Sequence, residues 1–183
     1  MLRARSARLL GQFLEAVVIS LMIGLTAVVV TAVVYRKLGA SFSWYDEVAS
    51  IMLAWLTYYG AALAALRRAH IGFDGFLLSL PRPWRLAAAG LAEVAVFGFF
   101  IVLGWMGWRV LQVLEGVSLI SLTWVPVQFT QSVIPIGAAL FILAELLSLP
   151  ETWRRIAAGV GSHEVDLAAL GGADEAERAG ERP

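Results

Sequence analysis

No charged residue interrupts the run of roughly nineteen positions from Val48 to Leu66, and at about 1.5 Å of rise per residue such a helix crosses the ~30 Å hydrocarbon core of a bilayer. Asp46 and Glu47 stand in front of the run, with Arg67 and Arg68 behind it. That order suits a helix macrodipole, whose N-terminus is positive. Ser43, three residues ahead of Asp46, predicts an N-cap box. One stripe of this helix, Glu47, Ser50, Ala54, Thr57, Ala61, Ala64 and Arg68, is small throughout its middle. Small residues let a second helix approach closely, which is how transmembrane helices pack where lipid offers no hydrophobic gain. The opposite stripe, Trp44, Val48, Ile51, Trp55, Tyr59, Ala62 and Leu66, is mostly bulky and is expected to meet lipid or a large partner.

Three more apolar runs accompany this one. The 183 residues are 60% hydrophobic and 15% charged, whereas a soluble domain is nearer 45–50% apolar and about 25% charged. The apolar run from Ala16 to Tyr35 exceeds the roughly 7–15 residues of a secretory signal core, so it is expected to be the first membrane helix, spanning about 14–35. Arg36, Lys37, Leu38 and Gly39 close it. The second span covers about 46–66 and the third about 86–114. After Glu115, Gly116 and a polar run from Ser118 to Thr123, the fourth covers about 125–149, with a kink expected at Pro135 and an exit at Pro150. Between the second and third spans, residues of about 71–80 are too few to cross the membrane. Phe73, Phe76, Leu77 and Leu80 give that segment one apolar face, so it reads as an interfacial helix. The expected fold is an all-α membrane protein with four transmembrane helices and a short interfacial helix between the second and third. These elements form one domain over 1–155, and the aperiodic, Gly-, Ala- and acid-rich residues 156–183 are expected to be a disordered cytoplasmic tail.

Basic residues in short loops orient such a bundle. With four spans, Arg3, Arg5, Arg8, Arg67, Arg68, Arg82, Arg85, Arg154 and Arg155 share one side, against Arg36, Lys37 and Arg109 on the other. Both termini are therefore expected to be cytoplasmic. Glu15, Glu93 and Glu145 fall toward that same side, at a depth similar to Arg67, Arg68 and Arg85. They suit either an ion relay or an ionic layer that fixes helix register. None sits at the mid-plane where transporters keep coupling sites, which favours the ionic layer.

Other classes lose ground on composition. Net charge is zero, so no basic surplus points to nucleic acid. Cysteine is absent, and the two histidines, His70 and His163, lie far apart, so no metal site is expected. No nucleophile motif or phosphate-cradling glycine loop occurs, and the reading is of a chain with no catalytic residue and no cofactor. Trp44, Tyr45, Trp84 and Trp153 near span ends suit an aromatic belt. Trp55, mid-span, is expected to wedge against a partner subunit. Asp46, Glu47, Arg36, Lys37, Arg109 and Glu115 are either solvated helix ends or a docking rim for a soluble partner.

The succession Trp44, Asp46, Glu47, Trp55, Gly60, Ala61, Arg67, Arg68, His70 and Ile71, followed by Pro126 and the Ile134, Pro135, Ile136, Gly137 turn, resembles the small membrane subunit of tripartite ATP-independent periplasmic (TRAP) transporters, the DctQ type. The resemblance covers about 12–155. It departs from the family in its long tail and in an Asp-Glu pair where Glu-Glu is common. It implies a large permease subunit as partner, one that holds substrate and sodium sites and moves elevator-fashion. It also implies a periplasmic binding protein that delivers an organic acid, and a stationary scaffold role for this chain in a bacterial inner membrane. Residues expected to serve subunit packing or orientation are Trp44, Asp46, Glu47, Ala54, Trp55, Gly60, Ala61, Arg67, Arg68, His70, Glu93 and Pro135. The competing readings are the four-span subunit of tripartite tricarboxylate systems, an independent small transporter, and a membrane enzyme.

Overall fold

A computed structural model describes residues 2–40, 43–67 and 80–159, with side chains from 7 onward and without that of 155. The described residues form five helices: α1 Leu2–Lys37, α2 Tyr45–Arg67, α3 Arg82–Val113, α4 Val127–Gln131 and α5 Val133–Ala158. Four stretches, Ala7–Lys37, Tyr45–Arg67, Arg82–Val113 and Val127–Ala158, are long and apolar enough to cross a membrane. The chain is thus an all-α protein with four potential spans. The expected interfacial segment, apart from Leu80, lies outside the described residues; of the expected disordered tail, 156–158 instead belong to the last helix, and the residues beyond 159 lie outside the described residues.

By packing, the described residues of 1–70 and 96–148 form one compact unit, and those of 71–95 and 149–183 a second. In the first, α1 and α2 run side by side: Leu66 touches Gly11 at one end, and Met52 meets Gly24 nearer the other. Leu14, Ala62, Ala65, Phe141 and Ala144 make a buried cluster, with Leu10, Tyr59, Leu66 and Phe100 packed around it. The Phe100 and Phe141 rings stack at 3.6 Å between centroids. Two glycines set how closely the later helices approach. A Cβ at Gly107 would stand 2.7 Å from Ile134, and one at Gly137 would stand 2.8 Å from the Cβ of Tyr58. Backbones that close are what small-residue packing in lipid requires. In the second unit the Trp153 ring lies 3.5 Å from the Cβ position of Gly90, and an Arg85 guanidinium nitrogen lies 3.1 Å from that of Gly159, just past the end of α5. A cation there faces the negative end of the helix dipole.

Several expectations shift. Residues outside the first estimate join α1 and α3, since Arg- and Trp-bearing turns extend helices beyond their apolar runs. Gly39, at φ 82°, ends α1, with the Ala40 N–H donating to the Tyr35 carbonyl. Helix α2 starts one residue later than the Ser43 box predicted: the Trp44 carbonyl takes the first intrahelical bond, from the Val48 N–H. The fourth span breaks at Ser132 rather than bending at Pro135. Proline has no N–H for the Gln131 carbonyl four residues back, and its ring crowds that carbonyl, so the discontinuity falls just before it and Pro135 enters the first turn of α5. Pro150 does not end the helix. It sits inside α5, which continues to Ala158.

Within the chain the two stripes of α2 are covered unequally. Val48, Ile51, Trp55, Tyr59 and Leu66 are partly buried and Ala62 fully, whereas Ser50, Ala54 and Thr57 are exposed. The bulky stripe from Val48 to Leu66 packs largely into the chain's own bundle, whereas the small stripe is outward only at Ser50, Ala54 and Thr57; Ala61 and Ala64 are partly buried, and Ala61 packs against the buried cluster. In lipid both stripes are apolar enough to face either way, so packing volume decides.

Candidate functional site

The acidic opening of α2 carries the densest polar geometry. Glu47 Oε1 accepts from the Ile120 N–H at 3.1 Å, and Oε2 accepts from the Ser121 N–H at 2.9 Å. The Ser121 hydroxyl donates to the Ser43 carbonyl at 3.1 Å. One carboxylate thus clasps the connection between α3 and α4, which is itself pinned where Ser118 lies opposite Pro126: the Leu119 N–H donates to the Val125 carbonyl and the Val127 N–H to the Val117 carbonyl. Charge-assisted bonds from backbone amides to a carboxylate are among the stronger ones a chain can make. Asp46 beside it is exposed, and its carbonyl accepts from the Ser50 hydroxyl.

Two turns further in, the Trp55 indole N–H donates to the Thr130 carbonyl at 2.9 Å, and its ring lies 5.3 Å from that of Phe129 and 6.2 Å from that of Tyr59. The break at Ser132 ends the α4 ladder, and carbonyls at a helix end must find partners elsewhere. Trp55 supplies one. Trp55, expected to wedge against a partner subunit, thus also makes a bond within this chain. Trp55→Phe keeps the ring but removes the donor, and should lower stability by roughly 1–3 kcal/mol by leaving a buried carbonyl without it; a melt of the purified variant in detergent checks this.

At the opposite end of α2, Arg67 Nη2 pairs with Glu15 Oε2 of α1 at 2.7 Å. Both side chains are about half exposed, so the pair orients more than it stabilises. Glu145, of the same expected ionic layer, is buried, and Glu93 is partly buried. Arg68 and His70 lie outside the described residues. Gly60 has open space where a Cβ would stand, while Ala61 packs at the edge of the buried cluster. Trp44 is at the exposed head of α2, and Ala54 is exposed on its outer stripe. An apolar groove of about 500 Å³ runs between α1 and α2, lined by Phe13, Val17, Ser20, Leu21, Trp55 and Tyr59 among others. Among the described residues no group of three His, Cys, Asp or Glu comes together to hold a metal. The geometry joins Glu47 to Ile120 and Ser121 and Glu15 to Arg67, but gathers the expected packing residues into no single cluster.

This bundle of apolar spans, tied at one end by an acid of α2 and at the other by an ion pair, is matched by a family model. The model for the DctQ component of tripartite ATP-independent periplasmic transporters aligns with residues 25–155, more than half of the chain. The chain belongs to the DctQ family. No curated relative matches it. As a DctQ component it is part of a membrane transport system and not a member of an enzyme family. Within DctQ's matched range lie the Glu47 clasp, the Trp55 bond and the exposed part of the small stripe. Sequence reasoning missed Ile120, Ser121 and Thr130 as partners, and Tyr58 as the residue that meets Gly137. Backbone acceptors and donors leave no mark in residue identity; only the glycine in the last span hinted at a close crossing.

Proposed function

We propose that this chain is the non-catalytic small permease subunit that steadies a large permease subunit in sodium-coupled uptake of a carboxylate-bearing organic acid. A periplasmic binding protein delivers the acid, and the chain lies in the bacterial inner membrane with both termini cytoplasmic. The observation that carries the reading is the exposed part of the small stripe on α2, Ser50, Ala54 and Thr57. With the bulky stripe committed to the chain's own bundle, Ser50, Ala54 and Thr57 leave a smooth strip on which another membrane helix can lie close. Ala54→Leu, which adds bulk to that strip without touching the buried cluster, should cut co-purification of the large subunit in mild detergent by about tenfold or more, the scale of one lost helix contact. The same variant should elute alone as a folded chain.

The ionic residues support scaffolding over coupling. Glu15 is matched by Arg67, and Glu93 and Glu145 lie on helices whose central turns are apolar. Glu93→Gln is expected to reduce recovery of the complex and leave the cation dependence of uptake, in whatever complex forms, unchanged. Normal assembly with uptake uncoupled from the cation gradient would overturn this. The isolated chain in liposomes should pass no solute, and flux from it alone would restore the reading of an independent transporter.

A further inference from the structure

The connection from Gly116 to Pro126 is unlike a water-facing loop. No charged residue occurs from Gly116 to Ala144. Within the expected polar run, Leu119 is buried but Ile120 is 92% exposed, and Trp124 just beyond is 80% exposed. The backbone, by contrast, is bonded at six of its amides. The N–H groups of Val117, Leu119, Val125 and Val127 donate to the carbonyls of Leu114, Val125, Leu122 and Val117, and those of Ile120 and Ser121 donate to Glu47. Bulk water would satisfy such amides unaided, whereas a bilayer cannot, which is why backbone near lipid bonds internally. The depth is fixed as well. Glu47 holds the tip within one turn of Trp44 and Tyr45, residue types that collect at the headgroup level. Exposed Arg109 and Glu115 bracket the same end of α3.

We infer that this loop is a lipid-contacting element that seats Ile120 and Trp124 in the interfacial zone of the bilayer, with Glu47 setting their depth. The partner is phospholipid. The exposed hydroxyls of Ser118 and Thr123 suit the headgroup zone, and the apolar surface of α3 (Val110 and Val113 are both exposed) leads into the loop. Anchoring would fix the tilt of the α3–α4 corner against the membrane plane.

The chain contains no cysteine, so a single introduced thiol reports one position. Ile120→Cys and Trp124→Cys, each at a largely exposed site, are labelled with an environment-sensitive fluorophore in the full chain, with Glu115→Cys as reference. The samples are nanodiscs of phosphatidylethanolamine and phosphatidylglycerol, with and without the large permease subunit. Both loop labels should be quenched at least about twofold more by a shallow acyl-chain nitroxide than by a deep one, as for an interfacial residue. They should also resist aqueous iodide better than the reference, with and without the other subunit. Iodide quenching equal to the reference would overturn the inference, because the loop would be in water. Shielding that appears only when the large subunit is added would overturn it too, because the surface would then be a protein contact.

Discussion

Gly137→Ala should loosen the whole bundle. The new methyl would stand 2.8 Å from the Tyr58 Cβ and 2.9 Å from its Cδ1, and these atoms cannot swing aside because the first is fixed to the α2 backbone. Either α5 moves away from α2 or the Tyr58 ring leaves its rotamer. Overpacking of this kind costs about 1–3 kcal/mol, and here the displacement also strains the nearby Trp55 bond to Thr130. The melting midpoint of the purified chain in detergent should fall clearly, and Gly137→Leu should fall further or fail to yield folded protein. Gly60→Ala is the internal control: it is also a helical glycine, but nothing lies within 4 Å of its Cβ position. Equal midpoints for the two alanine variants would show that the crossing at Gly137 is not tight.

Glu47→Ala should release the loop while leaving the spans in place. The substitution removes the acceptor of both the Ile120 and Ser121 amides, each held at close to ideal length. Hydrogen exchange at those two amides should accelerate by about tenfold or more, because a carboxylate acceptor makes the stronger class of bond. Exchange in the middle of α2 should stay as it was. Glu47→Gln, which retains one acceptor oxygen, should fall between the two. Asp46→Ala, one residue away and exposed, should leave loop exchange unaltered. If Asp46→Ala speeds exchange as much as Glu47→Ala, general charge at the helix start rather than the clasp orders the loop.

What the residues made legible was the set of spans, because an uncharged run of the right length has few other uses. Glu15 and Arg67 were placed at one depth by counting along two antiparallel runs, and they form an ion pair. Facing was not legible. A soluble helix shows its buried side by contrast with its polar side, but Val48 and Ala54 are both at home in lipid, so the stripes of α2 could be assigned only once volumes were fitted together. The helix break was misplaced by three residues because proline acts on the turn before it, at Gln131, and not at its own position. The Glu47 clasp was illegible for another reason: its partners are amide hydrogens, which every residue but proline carries. Even so, a connection containing Leu119, Ile120, Leu122 and Trp124 without a single charge was a visible anomaly, hidden by its serines.

The joint at Ser132 bears on how the protein is made. The fourth span emerges from the ribosome after the first three, as two helices whose seam borrows a donor from Trp55, a residue synthesised well before. Until α2 is seated alongside, that seam carries a carbonyl that hydrocarbon cannot solvate. The fourth span is therefore expected to settle fully at its seam only once α2 lies beside it.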